Sequence, residues 1–420
     1  MTLWSGRVQA GLDPAVWEYL KAPDEELLHY DILATLQHAK RLVAAGILTP
    51  KELAEAEGVL SSMSSSDIDD GDEDVHSAIE RVLGEVGRKI HAGRSRNDQV
   101  AAALRLFVAD AAGEAAEAID GLLERLLDLA EAEAETPMPG YTHLQRAIPI
   151  TVGHHLLAWV EMLERDRARF QFAAGQAAES PLGAGALAGS TLPLPAPPAA
   201  MRNSLDAVAD RDFALDYLYA VAVLFTHLSR IGEEVCLWAS AEFAFVRLPE
   251  EAATGSSMMP HKLNPDVAEL ARGQAGTAIG RLTGLLATVK GLPLAYNRDL
   301  QEGTAVLVAA RKDAAATLRA LGVLVPALQF DHERLAAAGA DPALFATDAA
   351  EELVRSGTPF RDAHEQIAEQ VREGTFEPPE QRRPRRAPGP GGVRAALEAA
   401  RSRLDDRAKI RVLSGMAQTK

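Results

Sequence analysis

The sequence predicts an all-α protein organised around a central bundle of very long helices. Apolar residues recur at spacings of three and four over long windows, whereas strand-like alternation is scarce. The composition is 47% hydrophobic but only 5% aromatic, so the helix faces carry Ala and Leu, side chains small enough for close helix packing. At roughly 150 residues per domain, 420 residues suggest about three domains.

Residues 1–93 hold shorter helical patterns and form the first expected domain, with SSMSSSDIDDGDED at 61–74 as a polar, acidic break. The second domain, 94–337, begins with the longest run. Over 98–136 the residues Leu104, Val108, Ala111, Ala115, Ile119, Leu122, Leu126 and Leu129 step along one helical face, and Pro137 ends it. Similar faces occupy 149–178 (Val152, Leu156, Trp159, Leu163, Phe170), 213–242, 265–290 and 304–325. Helices this long carry more apolar face than same-chain neighbours can cover, which predicts an oligomer. Residues 338–420 form a small third domain, shortened and interrupted by FEPPEQRRPRRAPGPGG at 376–392, whose Pro and Gly resist regular structure. Its cluster Arg382, Arg383, Arg385 and Arg386 reads as an irregular loop.

Charge and cysteine usage exclude several functions. With 43 Lys plus Arg against 60 Asp plus Glu, the net charge of −17 argues against a phosphate-neutralising nucleic-acid surface. The single cysteine, Cys236, cannot form an internal disulfide or a Cys-rich zinc site, and reads as a small buried hydrophobe. The first 14 residues lack a signal-peptide pattern, and charges break every hydrophobic window below the roughly 18 residues of a membrane span. These features predict a soluble, cytoplasmic protein. The histidines His76, His91, His154 and His155 lack metal-site spacing, and GAGALAG at 183–189 departs from GxGxxG, so neither metal nor organic cofactor is expected.

Three polar segments remain to carry chemistry. GRSRNDQ at 93–99 opens the longest helix; Ser95 and Asp98 suit a capping box, leaving Arg94, Arg96 and Asn97 at a helix start where carboxylates are readily held. PGYTHLQ at 139–145 lies between two long helices and carries His143. TGSSMMPHKLNPDVAE at 254–269 reads as a loop feeding a helix, with Asn264 as cap, Pro265 at the first turn and Asp266 against the dipole. Capping leaves unexplained a flexible glycine, two hydroxyls and Lys262 within eight residues, a loop suited to surrounding an anion.

In that order and at those separations, GRSRNDQ, PGYTHLQ and GSSMMPHKLNP resemble the three signature regions of the fumarase/aspartase superfamily. Within it the chain is similar to the argininosuccinate lyases. The similarity extends to LWSGR at 3–7, DEDVH at 72–76, SPLGAGALAG at 180–189, RNSLDAVADRDF at 202–213, HLSR at 227–230 and KGLPLAYNRDLQE at 290–302.

The resemblance implies an all-α, three-domain subunit whose central helices assemble into a homotetramer, each active site being built from three subunits. It implies reversible elimination of fumarate from argininosuccinate, a small-molecule reaction without metal or cofactor. By motif position, Ser256 matches the family's catalytic base, activated by loop N–H groups and Lys262. Lys262 and Asn264 match residues gripping the substrate carboxylate, and Ser257 a further substrate contact. His143 matches the family's histidine, paired across subunits with the acidic residue at Glu269. Ser95, Arg96, Asn97 and Thr142 match positions that bind the succinyl carboxylates, Tyr296 and Gln301 positions near the arginine portion, and Asp74, His76 and Arg211 supporting positions.

The chain departs from the family mainly in basic residues. Leu263 stands at a usual lysine, and QEGT in place of QEDK puts Thr304 at a substrate-contacting lysine. Gln274 and Thr277 replace typical basic residues, Leu20 occupies the FNAS serine position, and His261 replaces a glutamine. The proton-abstracting set is complete. The departures therefore bear on the substrate end, and leave two alternatives: a lyase for another N-substituted aspartate, or a catalytically silent crystallin-like relative.

Overall fold

The computed structural model describes residues 11–380 and 385–418; the LWSGR motif, Arg382 and Arg383 lie outside them. Four helices precede the long ones: α1 (Pro14–Leu20), α2 (Leu28–Ala44), α3 (Pro50–Ser61) and α4 (Val75–Ile90). Next come α5 (Arg96–Ala132), the strands β1 (Pro137–Thr142) and β2 (Gln145–Thr151), α6 (Val152–Ala177), α7 (Ser204–Ala209) and α8 (Asp212–Ala239). Strands β3 (Val246–Arg247), β4 (Thr254–Gly255) and β5 (Leu263–Asn264) lead to α9 (Asp266–Val289) and α10 (Glu302–Leu324). The chain closes with β6 (Gln329–Phe330), α11 (His332–Gly339), α12 (Ala346–Arg355), α13 (Phe360–Glu373) and α14 (Val393–Gln418).

The five long helices expected from periodicity are α5, α6, α8, α9 and α10. On α5, Leu104, Val108, Ala111, Ala115, Ile119, Leu122 and Leu126 are buried as predicted, while Leu129 is half-buried. The helix stops four residues before Thr136. Its end is displaced because residues 137–151, expected as a connection with a helix beginning at 149, form an antiparallel β-hairpin pairing Pro137 with Thr151 and Thr142 with Gln145. Two further antiparallel pairs, β3 with β6 and β4 with β5, have only two residues in each strand. The fold stays mostly helical.

By contacts the chain divides into two compact units. One comprises residues 1–116, 166–224 and 276–315, the other residues 117–165, 225–275 and 316–420, so each long helix gives part of its length to each. In the first, local signals set the starts of helices. Thr49 and Glu52 form a reciprocal capping box at α3, and the Asp74 side chain accepts from Ser77 N at α4. A buried polar network ties α2 to the start of α5: Asp31 accepts from Gln99 Nε2 at 2.8 Å and meets His76 Nδ1 at 2.8 Å, and Arg94 donates to Thr35 Oγ1.

In the second unit α8 and α9 pack so closely that a Cβ on Gly232 would sit 2.5 Å from Ala268 O. There α14 buries Val393, Leu397 and Ala400 and carries a row of paired arginines. Arg401 reaches Asp128 and Glu131, Arg403 reaches Glu161 and Glu164, and Arg407 reaches Glu164 and Asp120. Cys236, expected to be buried, is half-buried. Among the described residues no helix is long and apolar enough to cross a membrane.

Candidate active site

The first turn of α5 organises the site in the first unit. Asp98 Oδ1 accepts from Ser95 N at 2.9 Å, which is one half of the expected capping box, while Ser95 Oγ accepts from Asn97 N at 3.3 Å, one residue before the position that box would use. The other oxygen of Asp98 accepts from Gly183 N at 3.1 Å and Gly185 N at 2.9 Å, and Asn97 Nδ2 donates to Ala186 O at 3.0 Å. The segment GAGALAG is thereby a loop folded onto a helix start. Gly183 and Gly185 hold φ of 102° and 58°, a region open to glycine, which brings their N–H groups onto one carboxylate.

Against this turn lies a cavity of about 360 Å³, lined by Ser95, Arg96, Asn97, Tyr296, Gln301 and Thr304 among others. This unit thus brings together five of the predicted substrate residues, from the α5 start and from the segment before α10, and Asp74 and His76 also line the cavity. Arg96 pairs with Asp74 through Nη1. Tyr296 is half-buried, and burial pushes its hydroxyl pKa up. Gln301 Nε2 reaches Leu20 O and Lys21 O at 3.5 and 3.4 Å. Arg211 does not line the cavity. It is buried, donates from Nη1 to Asp210 O at 2.7 Å, leaves Nε and Nη2 without a hydrogen bond, and burial pulls its pKa down to about 10.

Sequence reasoning missed four groups on the cavity wall: Asp24, Glu73, His91 and Arg298. Arg298 pairs with Glu73 at 2.8 Å and donates to Leu20 O at 2.7 Å. Burial pushes the Asp24 carboxyl up to about 6, against the attraction of His76. His76 itself is pushed the other way by desolvation, but the Asp31 carboxylate outweighs this and raises its pKa. Arg298 was findable, being three residues before Gln301 and one helical turn away; Asp24 was not, because only the folded chain brings it to His76.

The remaining predicted residues lie in the second unit, in two groups. Thr142 ends β1, and His143 follows in the two-residue turn of the hairpin, both exposed. Ser256 and Ser257 leave β4 and Lys262 enters β5, all on the tight connection between the strands. That connection folds back on itself. Ser256 Oγ accepts from Met258 N at 3.3 Å and from Met259 N at 3.0 Å, and Lys262 N donates to Met259 O. Asn264, expected as a helix cap, sits in β5 opposite Thr254, with Nδ2 3.5 Å from Thr254 Oγ1. Thr254 also bonds Asp266 in the first turn of α9. Glu269 is exposed on α9 and reaches Arg272 at 3.7 Å.

A hydroxyl that already receives two backbone donors is suited to bearing negative charge, and the cavity, where Arg96 and Arg298 stand paired with Asp74 and Glu73 beside Asn, Ser and Tyr side chains, offers charged and neutral polar groups to a small polar ligand. Among the described residues no group of three His, Cys, Asp or Glu is placed to hold a metal ion.

A general lyase family model matches residues 20–280, and a model of the C-terminal region of argininosuccinate lyase matches residues 343–377. The chain is 47% identical to argininosuccinate lyase of Frankia casuarinae, over 88% of this chain and 84% of that one. It is 41% identical to the same enzyme of Pelotomaculum thermopropionicum, over 96% and 99%. A solved EDDS lyase in complex with formate matches with a TM-score of 0.78 at 27% identity, covering 95% of this chain and 94% of that one. A class II fumarase from Schistosoma mansoni shares the fold, with a TM-score of 0.70 at 16% identity, over 85% and 88%. With these relatives matching along most of both lengths, the chain, which has the fumarase-like fold, belongs to the argininosuccinate lyase family.

Proposed function

We propose that this chain catalyses the reversible elimination of fumarate from argininosuccinate, releasing arginine, with Ser256 as the base. The carrying observation is the pair of N–H groups of Met258 and Met259 aimed at Ser256 Oγ. A neutral hydroxyl is a poor base; two fixed donors favour its alkoxide, and the ammonium of Lys262, on the same connection, is the cation we assign to it. The alkoxide takes the proton from the carbon next to a succinyl carboxylate, and the C–H electron pair moves into that carboxylate as an aci-carboxylate dianion. Lys262, Asn264, Ser257 and Thr142 donate where this charge grows, with Ser95, Arg96 and Asn97 on the second carboxylate. The dianion then collapses, forming the double bond of fumarate and expelling the guanidinium nitrogen.

That nitrogen belongs to a group already cationic, so it leaves as a neutral guanidine and recovers a proton afterwards, which makes little demand on a general acid. Tyr296 and Gln301 serve the arginine end, with Arg211 in support behind Tyr296. His143, paired with Glu269 of a neighbouring copy, tunes charge near the base. The active form is a homotetramer in the cytoplasm, each site drawing Ser256, His143 and Asn97 from different subunits. The domains follow the boundaries 1–93, 94–337 and 338–420, and the site works with its own side chains and no cofactor.

Fumarate release from argininosuccinate, followed by its ultraviolet absorbance, tests the reaction; no product at high enzyme concentration rejects it. Ser256→Ala should lower kcat at least a thousandfold, on the order of 4 kcal/mol in barrier, with unchanged circular dichroism. An undiminished rate would show the base assignment to be wrong. A second reading, another N-substituted aspartate as substrate, is favoured by one feature: Thr304 is nearly buried in the cavity wall, where the family places a lysine. A panel of succinyl adducts compared by kcat/KM separates the two.

A further inference from the structure

We infer that Leu144 is a positioning residue for His143, the two forming a strained turn whose conformation serves presentation of the imidazole. The inference rests on the proposed role of His143. Strands β1 and β2 pair Thr142 with Gln145, leaving His143 and Leu144 as the whole connection, and their φ values are +56° and +57°. A two-residue hairpin turn with both residues left-handed is type I′, for which Asn and Gly are the favoured occupants. Leu gains nothing locally there, because its Cβ crowds the following carbonyl in this region. Strain of this kind persists only where surrounding structure fixes it, and it collects at functional sites.

The surroundings do fix it. At the base of the turn Gly140 lets the strands approach, since a Cβ there would lie 2.8 Å from Ile148 O. Leu144 is 69% exposed, yet with Thr142 it edges a cavity of about 350 Å³ whose walls include Tyr141, Trp238 and Phe243. That wall is rigid. Glu234 Oε2 accepts from Trp159 Nε1 at 2.6 Å and meets His155 Nε2 at 2.9 Å, and the Trp159 and Trp238 rings stack at 5.4 Å. A large side chain at the rim of a rigid aromatic wall holds the tip in one orientation. Glycine would adopt the same φ freely and lose the hold.

Leu144→Gly tests this, because relief of strain and loss of positioning move in opposite directions. The expected result is a thermal midpoint equal to or above the parent's, kcat reduced at least tenfold, KM within twofold, and a displaced pH profile of kcat. Leu144→Met, which restores bulk, should return kcat to within threefold of the parent. A Leu144→Gly enzyme with kcat within twofold of the parent overturns the inference, as does a fall in kcat accompanied by a lowered midpoint that Leu144→Met shares. His143→Asn is measured beside them. If it is slow while Leu144→Gly is fast, the positioning role alone fails; if His143→Asn is itself fast, the reading of His143 as an active-site group fails.

Discussion

Nε2 of His38 lies 3.0 Å from Ala92 O and its Nδ1 lies 3.2 Å from Nη1 of Arg41, so only the neutral ring protonated at Nε2 satisfies both neighbours. Burial, with Arg94 nearby, accordingly pulls its pKa down to about 3. Between pH 6.5 and about 3 the unfolded chain binds a proton that the folded chain refuses, so stability is intact above pH 6.5 and is lost as pH falls. Asp24, raised to about 6, has the opposite sign over part of that window, which is why a single-residue comparison is needed. His38→Gln keeps a donor and an acceptor without a titration. Its thermal midpoint should drop less than the parent's between pH 7.5 and 4.5, the parent losing on the order of 2 kcal/mol more; parallel curves would dismiss the assignment. Nothing in the sequence marked this residue. The apolar periodicity that exposed the helices says nothing about which polar side chains within them find partners, and Asp31, His38, Arg41 and Arg94 acquire theirs only when distant segments meet.

Helices and strands differed sharply in how plainly they could be read. The five long helices were legible because Leu and Ala repeat along them without interruption, and their observed ends fall within a few residues of the expected ones. The hairpin was illegible for a physical reason. Pro137, Pro139 and Pro149 stand in its strands, where proline removes ladder donors, and a His-Leu turn lacks the Asn-Gly signal. The site motifs were read as polar segments, and their residue roles came from resemblance; the bond between Asp98 and the glycines of 183–189 emerged from neither. Helix α9 carries a prediction of its own. Gly273, Gly276, Gly280 and Gly284 are exposed along it, flanked by Ile279 and Leu286, and a Cβ at any of the four glycines meets nothing within 4 Å. Such a stripe suits close approach by a helix of another copy. Gly280→Leu should therefore leave the circular dichroism unchanged while lowering the light-scattering mass from that of the proposed tetramer toward that of one subunit; an unaltered mass would remove α9 from the interface.

For the molecule as a whole, the candidate residues fall into one cavity-lining set and two loop sets, with Arg211 and Glu269 outside all three. Ser95, Arg96, Asn97, Tyr296 and Gln301 share the first unit, while Ser256 and His143 stand on separate connections of the second. If sites combine different copies, two inactive variants can repair each other. Co-refolded Ser256→Ala and His143→Ala chains should regain activity, approaching about a quarter of native sites under random assembly, whereas either alone stays inactive. Failure to recover any rate would put Ser256 and His143 of each site on one polypeptide. The carboxylate of Asp98 finally ties the history of two distant stretches together. One oxygen sets the helix start that presents Ser95 and Asn97, and the other holds the glycine loop, so neither stretch can drift alone. In descendants of this gene, exchange of the acid should be accompanied by rewriting of the loop, and lineages retaining the acid should retain both glycines.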